Sequence, residues 1–244
     1  MPPEPLIKLN FSDRLATIIF NKPQKRNAFS SDMMKQFDEA IDAVSKKNNC
    51  NVLVIRGADG NFCSGWDFDE FEKMRSEGQK SLQDEFHKHL GILNKLERLS
   101  KLVVALIEGS VAGFGFSLAA RCDITLGASD CHFALPEIRL GIVPAIVMID
   151  LHRLVTPKIA LDWLASGRII SSEEALHHGL LSRIIHPNVS FEETIENTLK
   201  EFSEKSPFVV EKIKSTLHDF ASCSPIETEK LASEVAADSI FNSN

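Results

Sequence analysis

An α/β body with a helical C-terminal region is the fold class this sequence predicts, and three observations predict it. Short β-branched runs alternate with amphipathic helical stretches up to about residue 188. Beyond that point only helical periodicity remains. The apolar run at 102–107 passes straight into glycines and then a helix of small residues. The chain has 244 residues, 43% apolar and 25% charged, the make-up of one large globular domain rather than a disordered or collagen-like chain. Its net charge of −7, from 27 Lys and Arg against 34 Asp and Glu, argues against a nucleic-acid partner or an anionic membrane surface.

The elements follow in order. Residues 6–11 and 15–20 form two short strands joined by a turn at Ser12-Asp13. A helix spans about 31–47, where Met34, Phe37, Ile41 and Val44 recur every three or four residues as one apolar stripe. The β-branched run at 52–55, ended by Gly57, is a buried strand, and a second helix over 82–99 buries Phe86, Leu90, Leu93 and Leu96. The window 102–120 approaches the roughly 20 residues of a membrane span. Glu108 and the glycines at 109, 113 and 115 make it a strand, a glycine loop and a helix start instead, so no membrane insertion is expected. Strands follow at 123–126 and 132–134; after Pro144 the pattern is helical, with one strand at 182–185. Pro187-Asn188 is the best internal boundary, dividing a core (1–188) from a helical tail (189–244).

The five cysteines are odd in number and form no C-x-x-C pair, as expected of reduced thiols in a cytoplasmic protein. Met1-Pro2-Pro3-Glu4-Pro5 has no basic or apolar leader region, so no signal peptide is expected. No histidine spacing suits a metal; His87 and His89, two apart on one helix, point in different directions.

Three segments could carry chemistry. Gly113-Phe114-Gly115-Phe116-Ser117-Leu118 lacks the third glycine of a dinucleotide fingerprint and the Lys of a phosphate loop, and a nucleophile elbow would want glycine where Ala119 stands. What remains is a glycine turn presenting backbone amides at a helix N-terminus, a place that favours developing negative charge. Asn61-Phe62-Cys63-Ser64-Gly65-Trp66-Asp67 is a second loop of this kind; each alone is equally a tight structural turn. Glu137 lies among Pro136, Ile138 and Leu140, where desolvation raises a carboxyl toward the range useful for proton transfer. Arg139 is the alternative partner, for a buried ion pair without chemistry.

In this order and spacing the segments resemble the enoyl-CoA hydratase/isomerase (crotonase) family. The resemblance begins at Asn21-Lys22-Pro23-Gln24-Lys25-Arg26-Asn27-Ala28-Phe29 and passes through Phe62 to Asp67, Gly109 to Gly115, and Arg121-Cys122-Asp123. It continues through Phe133 to Gly141, Leu164 to Arg168, and Ser172 to Leu180. It implies a spiral of β-β-α units with a helical C-terminal region, assembled as homotrimers or dimers of trimers. It also implies an acyl-CoA thioester substrate and no resident cofactor or metal. The oxyanion-hole amides would be those of Trp66 and Phe114, the proton-transfer residue Glu137, and the substrate and coenzyme A contacts Lys22, Lys25, Arg26, Ala28, Ser64, Gly65, Asp67 and Gly113.

Three departures shape the expectation. Hydratases of the two-glutamate type carry a carboxylate where this chain has Ser117. Hydration then needs water held by Ser117 or by backbone groups, whereas Glu137 alone suits a Δ3,Δ2-enoyl-CoA isomerase. A non-catalytic acyl-CoA-binding or assembly protein is the third reading. The stretch from Pro136 to Ala145 most resembles bacterial methylglutaconyl-CoA hydratase-like members, some of which also lack that glutamate. With no tyrosine in the chain and Ala145 in place of a nucleophilic aspartate, the hydroxycinnamoyl-CoA lyase and aryl-CoA dehalogenase branches are excluded. Relatives continue where this sequence ends at Asn244, so a shortened C-terminal region is expected, with the cluster of Lys22, Lys25 and Arg26 left to meet the phosphates.

Overall fold

The computed structural model describes residues 4–186 and 191–241; the boundary expected at Pro187-Asn188 and the chain end at Asn244 lie outside them. Strands β1 (Ile7–Ser12) and β2 (Leu15–Phe20) form the expected antiparallel hairpin, with Asp13 in the left-handed conformation at the reversal. Helix α1 (Ser31–Ser45) is capped by Ser30, whose hydroxyl accepts from the Met33 amide, and it buries Met33, Met34, Phe37, Ile41 and Val44. After β3 (Val52–Gly57) the chain forms α2 (Phe68–Ser76) and α3 (Gln79–Glu97).

Then come β4 (Leu102–Ile107), β5 (Ser110–Ala112), α4 (Phe114–Ala120), β6 (Ile124–Ala128), β7 (His132–Ala134) and a 3-10 turn at Pro136–Leu140. The remainder is α5 (Ala145–Leu154), α6 (Pro157–Ser166), β8 (Ile169–Ser171), α7 (Ser172–His177), β9 (Arg183–Ile185), α8 (Phe191–Ser203), α9 (Pro207–Phe220) and α10 (Pro225–Phe241).

Three elements were not expected, the first being β5, whose residues read as part of a glycine loop and which forms through its parallel pairing with β7. Helix α2 buries only Met74, so its charged sequence carries too weak an apolar stripe to announce it. Strand β8 has three residues and exists through its antiparallel pairing with β7, which makes two strands after Pro144 where the sequence predicts one.

Two sheets organise the spiral. The larger runs β1-β2-β3-β4-β6-β9, parallel beyond the first hairpin; the smaller runs β5-β7-β8 and is extended by a bridge from Cys63 to Val111. The turns β4-β5-α4 and β6-β7-α5 each place one strand in each sheet and then a helix, while the turn through β3 contributes only the Cys63 bridge to the smaller sheet. This repeat is the expected β-β-α unit, and because every turn enters the large sheet in the same direction its strands are parallel. β3 and β4 are covered on both faces: Leu53, Ile55, Val103 and Ala105 face the main core, while Val52, Val54, Val104 and Leu106 meet Ile195 and Leu199 of α8. Two-sided burial explains why these strands read as unbroken apolar runs. Among the described residues no helix is long and apolar enough to cross a membrane, and no cluster of His, Cys, Asp and Glu could hold a metal ion.

Candidate active site

Backbone hydrogen bonds stitch the loop after β3 on both sides. The Cys63 amide donates to the Ser110 carbonyl (3.3 Å) and the Ala112 amide to the Cys63 carbonyl (3.0 Å). On the other side the Phe29 amide donates to the Gly65 carbonyl and the Asp67 amide to the Phe29 carbonyl, each at 2.8 Å. Trp66 thus sits at the centre of a parallel bridge to Phe29, where its own N–H points away from that partner. Gly113, at φ 48° and ψ −115°, makes a turn closed to residues with a side chain, and Phe114 opens α4. The first amides of a helix have no acceptor within it. Neither the Trp66 nor the Phe114 N–H finds an acceptor among the described residues. A Cβ on Gly65 would lie 3.7 Å from the Phe114 nitrogen, so folding has brought the two loops into contact.

Glu137 stands opposite. The 3-10 turn after β7 carries it to Gly113, where an added Cβ would fall 2.8 Å from the Glu137 Oε1. Its Oε2 is buried and has no hydrogen-bond partner among the described residues. Arg139, the alternative ion-pair partner, instead donates from Nη2 to the Gly167 carbonyl at 2.9 Å. Burial without a cation pushes the Glu137 carboxyl above the usual carboxylate range, partly offset by a hydrogen bond from its own backbone. The arrangement therefore offers two preorganised donors beside an acid poised to give or take a proton.

An aromatic wall closes one side. The Trp66 ring lies 5.1 Å from Phe114 and 4.2 Å from the imidazole of His89, while Phe29 packs 5.2 Å from Phe114, all between ring centroids. His89 is 3% exposed with Nδ1 unpartnered, and burial pushes its pKa down to about 4, so the imidazole is neutral at pH 7. From the sequence His89 reads only as half of a poor metal pair, although its place on the α3 stripe, three after Phe86 and four before Leu93, was available. Ser117, one turn into α4, is fully buried and its hydroxyl has no hydrogen-bond partner among the described residues.

The residues expected around the coenzyme A group are largely engaged with one another. Asp67 is nearly buried and accepts from Lys22 Nζ (2.6 Å) and Lys25 Nζ (2.8 Å) while capping α2; Lys25 also reaches Asp69. These cations hold the Asp67 carboxyl below its ordinary range despite its burial. Arg26, in a left-handed conformation, is exposed and is the one cation of the three without an ion pair among the described residues. Ser64 donates from Oγ to the Lys25 carbonyl, which also accepts from the amide of buried Ala28 at 3.1 Å. Asn27 pins the loop: its side chain donates to the Ala58 and Asn61 carbonyls and accepts from the Lys22 amide.

The two-sheet spiral, its helical C-terminal region and the paired loops at the mouth of α4 define the crotonase class of fold. The chain belongs to the enoyl-CoA hydratase/isomerase family, whose model matches residues 10–243. It is 30% identical over 200 residues to a short-chain-enoyl-CoA hydratase of Clostridium acetobutylicum, covering 79% of this chain and 71% of that enzyme. It is also 30% identical over 197 residues to the human mitochondrial enoyl-CoA hydratase domain-containing protein 3, covering 81% of this chain and 64% of that protein. The structure of AtuE from Pseudomonas aeruginosa superposes with a TM-score of 0.90 at 28% identity, covering 97% of this chain and 92% of that one.

Proposed function

We propose that this protein is an enoyl-CoA hydratase, adding water across the 2,3 double bond of an acyl-CoA thioester and catalysing the reverse dehydration. One observation carries the reading: the unpaired Trp66 and Phe114 amides meet beside Glu137, a desolvated carboxyl that no cation neutralises. The thioester oxygen accepts from both amides, which stabilise the negative charge that grows on it as the enolate forms. Glu137 takes a proton from water as the water oxygen bonds to C3, then delivers that proton to C2. Water is consumed, the carboxylate is restored, and no resident cofactor is needed. The name of the Clostridium relative supports a short acyl chain.

A specific observation favours a second reading: position 117 carries serine rather than a second carboxylate, and Glu137 alone suffices to move a proton between two carbons of a 3-enoyl thioester. Incubation with crotonyl-CoA and 3-hexenoyl-CoA in deuterated water separates the cases. Formation of 3-hydroxybutyryl-CoA is expected. Conversion of 3-hexenoyl-CoA to 2-hexenoyl-CoA without any hydration would replace the hydratase with the isomerase. Binding without product or deuterium at C2 would leave a non-catalytic acyl-CoA protein.

The coenzyme A phosphates are assigned to Arg26, with Lys22 and Lys25 completing a local positive cluster. Assembly as a homotrimer or dimer of trimers is supported by exposed apolar residues on and just after the 3-10 turn, on α5 and on α6, namely Leu140, Val143, Met148 and Leu161, and light scattering tests it. All five cysteines are free, which supports the cytoplasmic placement.

A further inference from the structure

One buried pair behind the site is left loose by the rest of the molecule. Asp150, on α5, is 2% exposed; its Oδ1 accepts from Arg121 Nε at 2.8 Å, but its Oδ2 has no partner among the described residues. Across the α4–α5 contact stands Ser117, fully buried, its hydroxyl likewise without a hydrogen-bond partner. Burial raises the Asp150 carboxyl, and Arg121 foremost and then the Ser117 hydroxyl oppose that shift, so the hydroxyl lies close to the carboxylate though outside hydrogen-bond geometry. Catalytic hydrogen bonds in an unliganded site are often long and tighten only when substrate is bound.

The remainder of the network is closed. Arg121 donates from Nη1 to Asn94 Oδ1 (2.5 Å) and Glu97 Oε2 (3.1 Å), and Arg153 donates to Glu97 Oε1 (3.0 Å). In a brace built only to hold α4, α5 and α3 together, a buried acceptor is nearly always closed. The open acceptor is the one beside Ser117, three residues on from the Phe114 amide.

We infer that Asp150 is a positioning residue for hydration: it accepts the Ser117 hydroxyl proton and so leaves the Ser117 oxygen free to accept a hydrogen bond from the reacting water. The inference rests on the hydratase reading and divides its labour. Glu137 makes both proton transfers, from water and to C2, while Asp150 and Ser117 transfer none and hold the water at C3. Two reactions need Glu137 and the amides but no added water: isomerisation of 3-hexenoyl-CoA, and exchange of the C2 protons of butyryl-CoA with deuterated solvent.

The test compares these with crotonyl-CoA hydration in the wild type, Ser117→Ala and Asp150→Asn. Asparagine keeps the shape but turns a donor toward Ser117, which reverses the sense of its hydrogen bond. Hydration kcat is expected to fall about tenfold to a hundredfold in both variants with KM within about twofold, and the ratio of hydration to the water-free reactions to fall by the same factor. Hydration and the water-free reactions falling together would overturn the inference and leave a structural brace. Should Asp150→Asn fail to fold, Ser117→Ala, which keeps the Arg121–Asp150 pair, decides alone. A wild type that isomerises or exchanges but does not hydrate removes the hydratase reading itself, before any variant is made.

Discussion

Replacing Gly113 by alanine perturbs both halves of the site at once. Its Cβ would lie 2.8 Å from Glu137 Oε1, against about 3.4 Å for an ordinary close contact, so the carboxylate must retreat by roughly 0.6 Å or more. A misplacement approaching 1 Å at reacting groups costs on the order of a hundredfold in rate. The backbone at φ 48° and ψ −115° adds about 1–3 kcal/mol of strain for a residue with a side chain, and any relaxation moves the Phe114 amide. Gly113→Ala is therefore expected to lower kcat/KM for crotonyl-CoA about a hundredfold, read from the loss of the conjugated thioester's ultraviolet absorbance. Gly179→Ala is the control: φ is 78° there, but an added Cβ meets nothing within 4 Å. It is expected to lower the melting temperature by about 2–4 °C per kcal/mol of strain and leave turnover unchanged. Activity of Gly113→Ala within threefold of wild type, or an equal loss in Gly179→Ala, would refute the placement of Glu137 against this turn.

Glu137→Gln is expected to cut turnover by at least about a thousandfold while leaving the calorimetric affinity for coenzyme A unchanged, because only the proton is lost. His89 makes stability pH-dependent. Its folded pKa of about 4 lies below the unfolded value of 6.5, so as pH falls below 6.5 the unfolded chain takes up a proton that the folded chain refuses. The resulting loss is about 2 kcal/mol at pH 5 and reaches its limit below pH 4; His89→Phe removes it while keeping a ring against Trp66, as urea denaturation at pH 7 and pH 5 would show. Arg26→Ala is expected to raise KM about twofold to fivefold, an effect that shrinks with added salt, since an exposed cation meeting a phosphate is screened. Lys22→Ala acts instead through Asp67 and registers mainly as lost thermal stability.

Elements whose information is local were legible in the sequence. The hairpin, α1, β3, β4 and α4 follow from apolar periods of two or 3.6 residues and from the turns that bound them. Helix α2 escaped because its sequence has almost no apolar face, and β8 because three residues carry no period of their own. His89 escaped for a different reason. A polar residue in a buried stripe reads as surface until the stacking of Trp66 shows why it is tolerated. The cations at 22 and 25 read as free phosphate ligands, since nothing local reveals that Asp67, more than forty positions away, folds back between them.

The sequence by itself determined the fold class, the two glycine loops and Glu137 as the carboxyl in apolar company. These rest on backbone conformation and on neighbours within a few residues. Three things were decided by tertiary structure alone: that the Trp66 and Phe114 amides share one site, that Arg139 turns to Gly167 and leaves Glu137 unpaired, and that Asp150 stands beside Ser117. Each depends on which atoms from separate turns of the spiral exclude water from one another. A hydrogen bond made or left open in that interior is set by distances of tenths of an ångström, which no linear spacing of residues encodes.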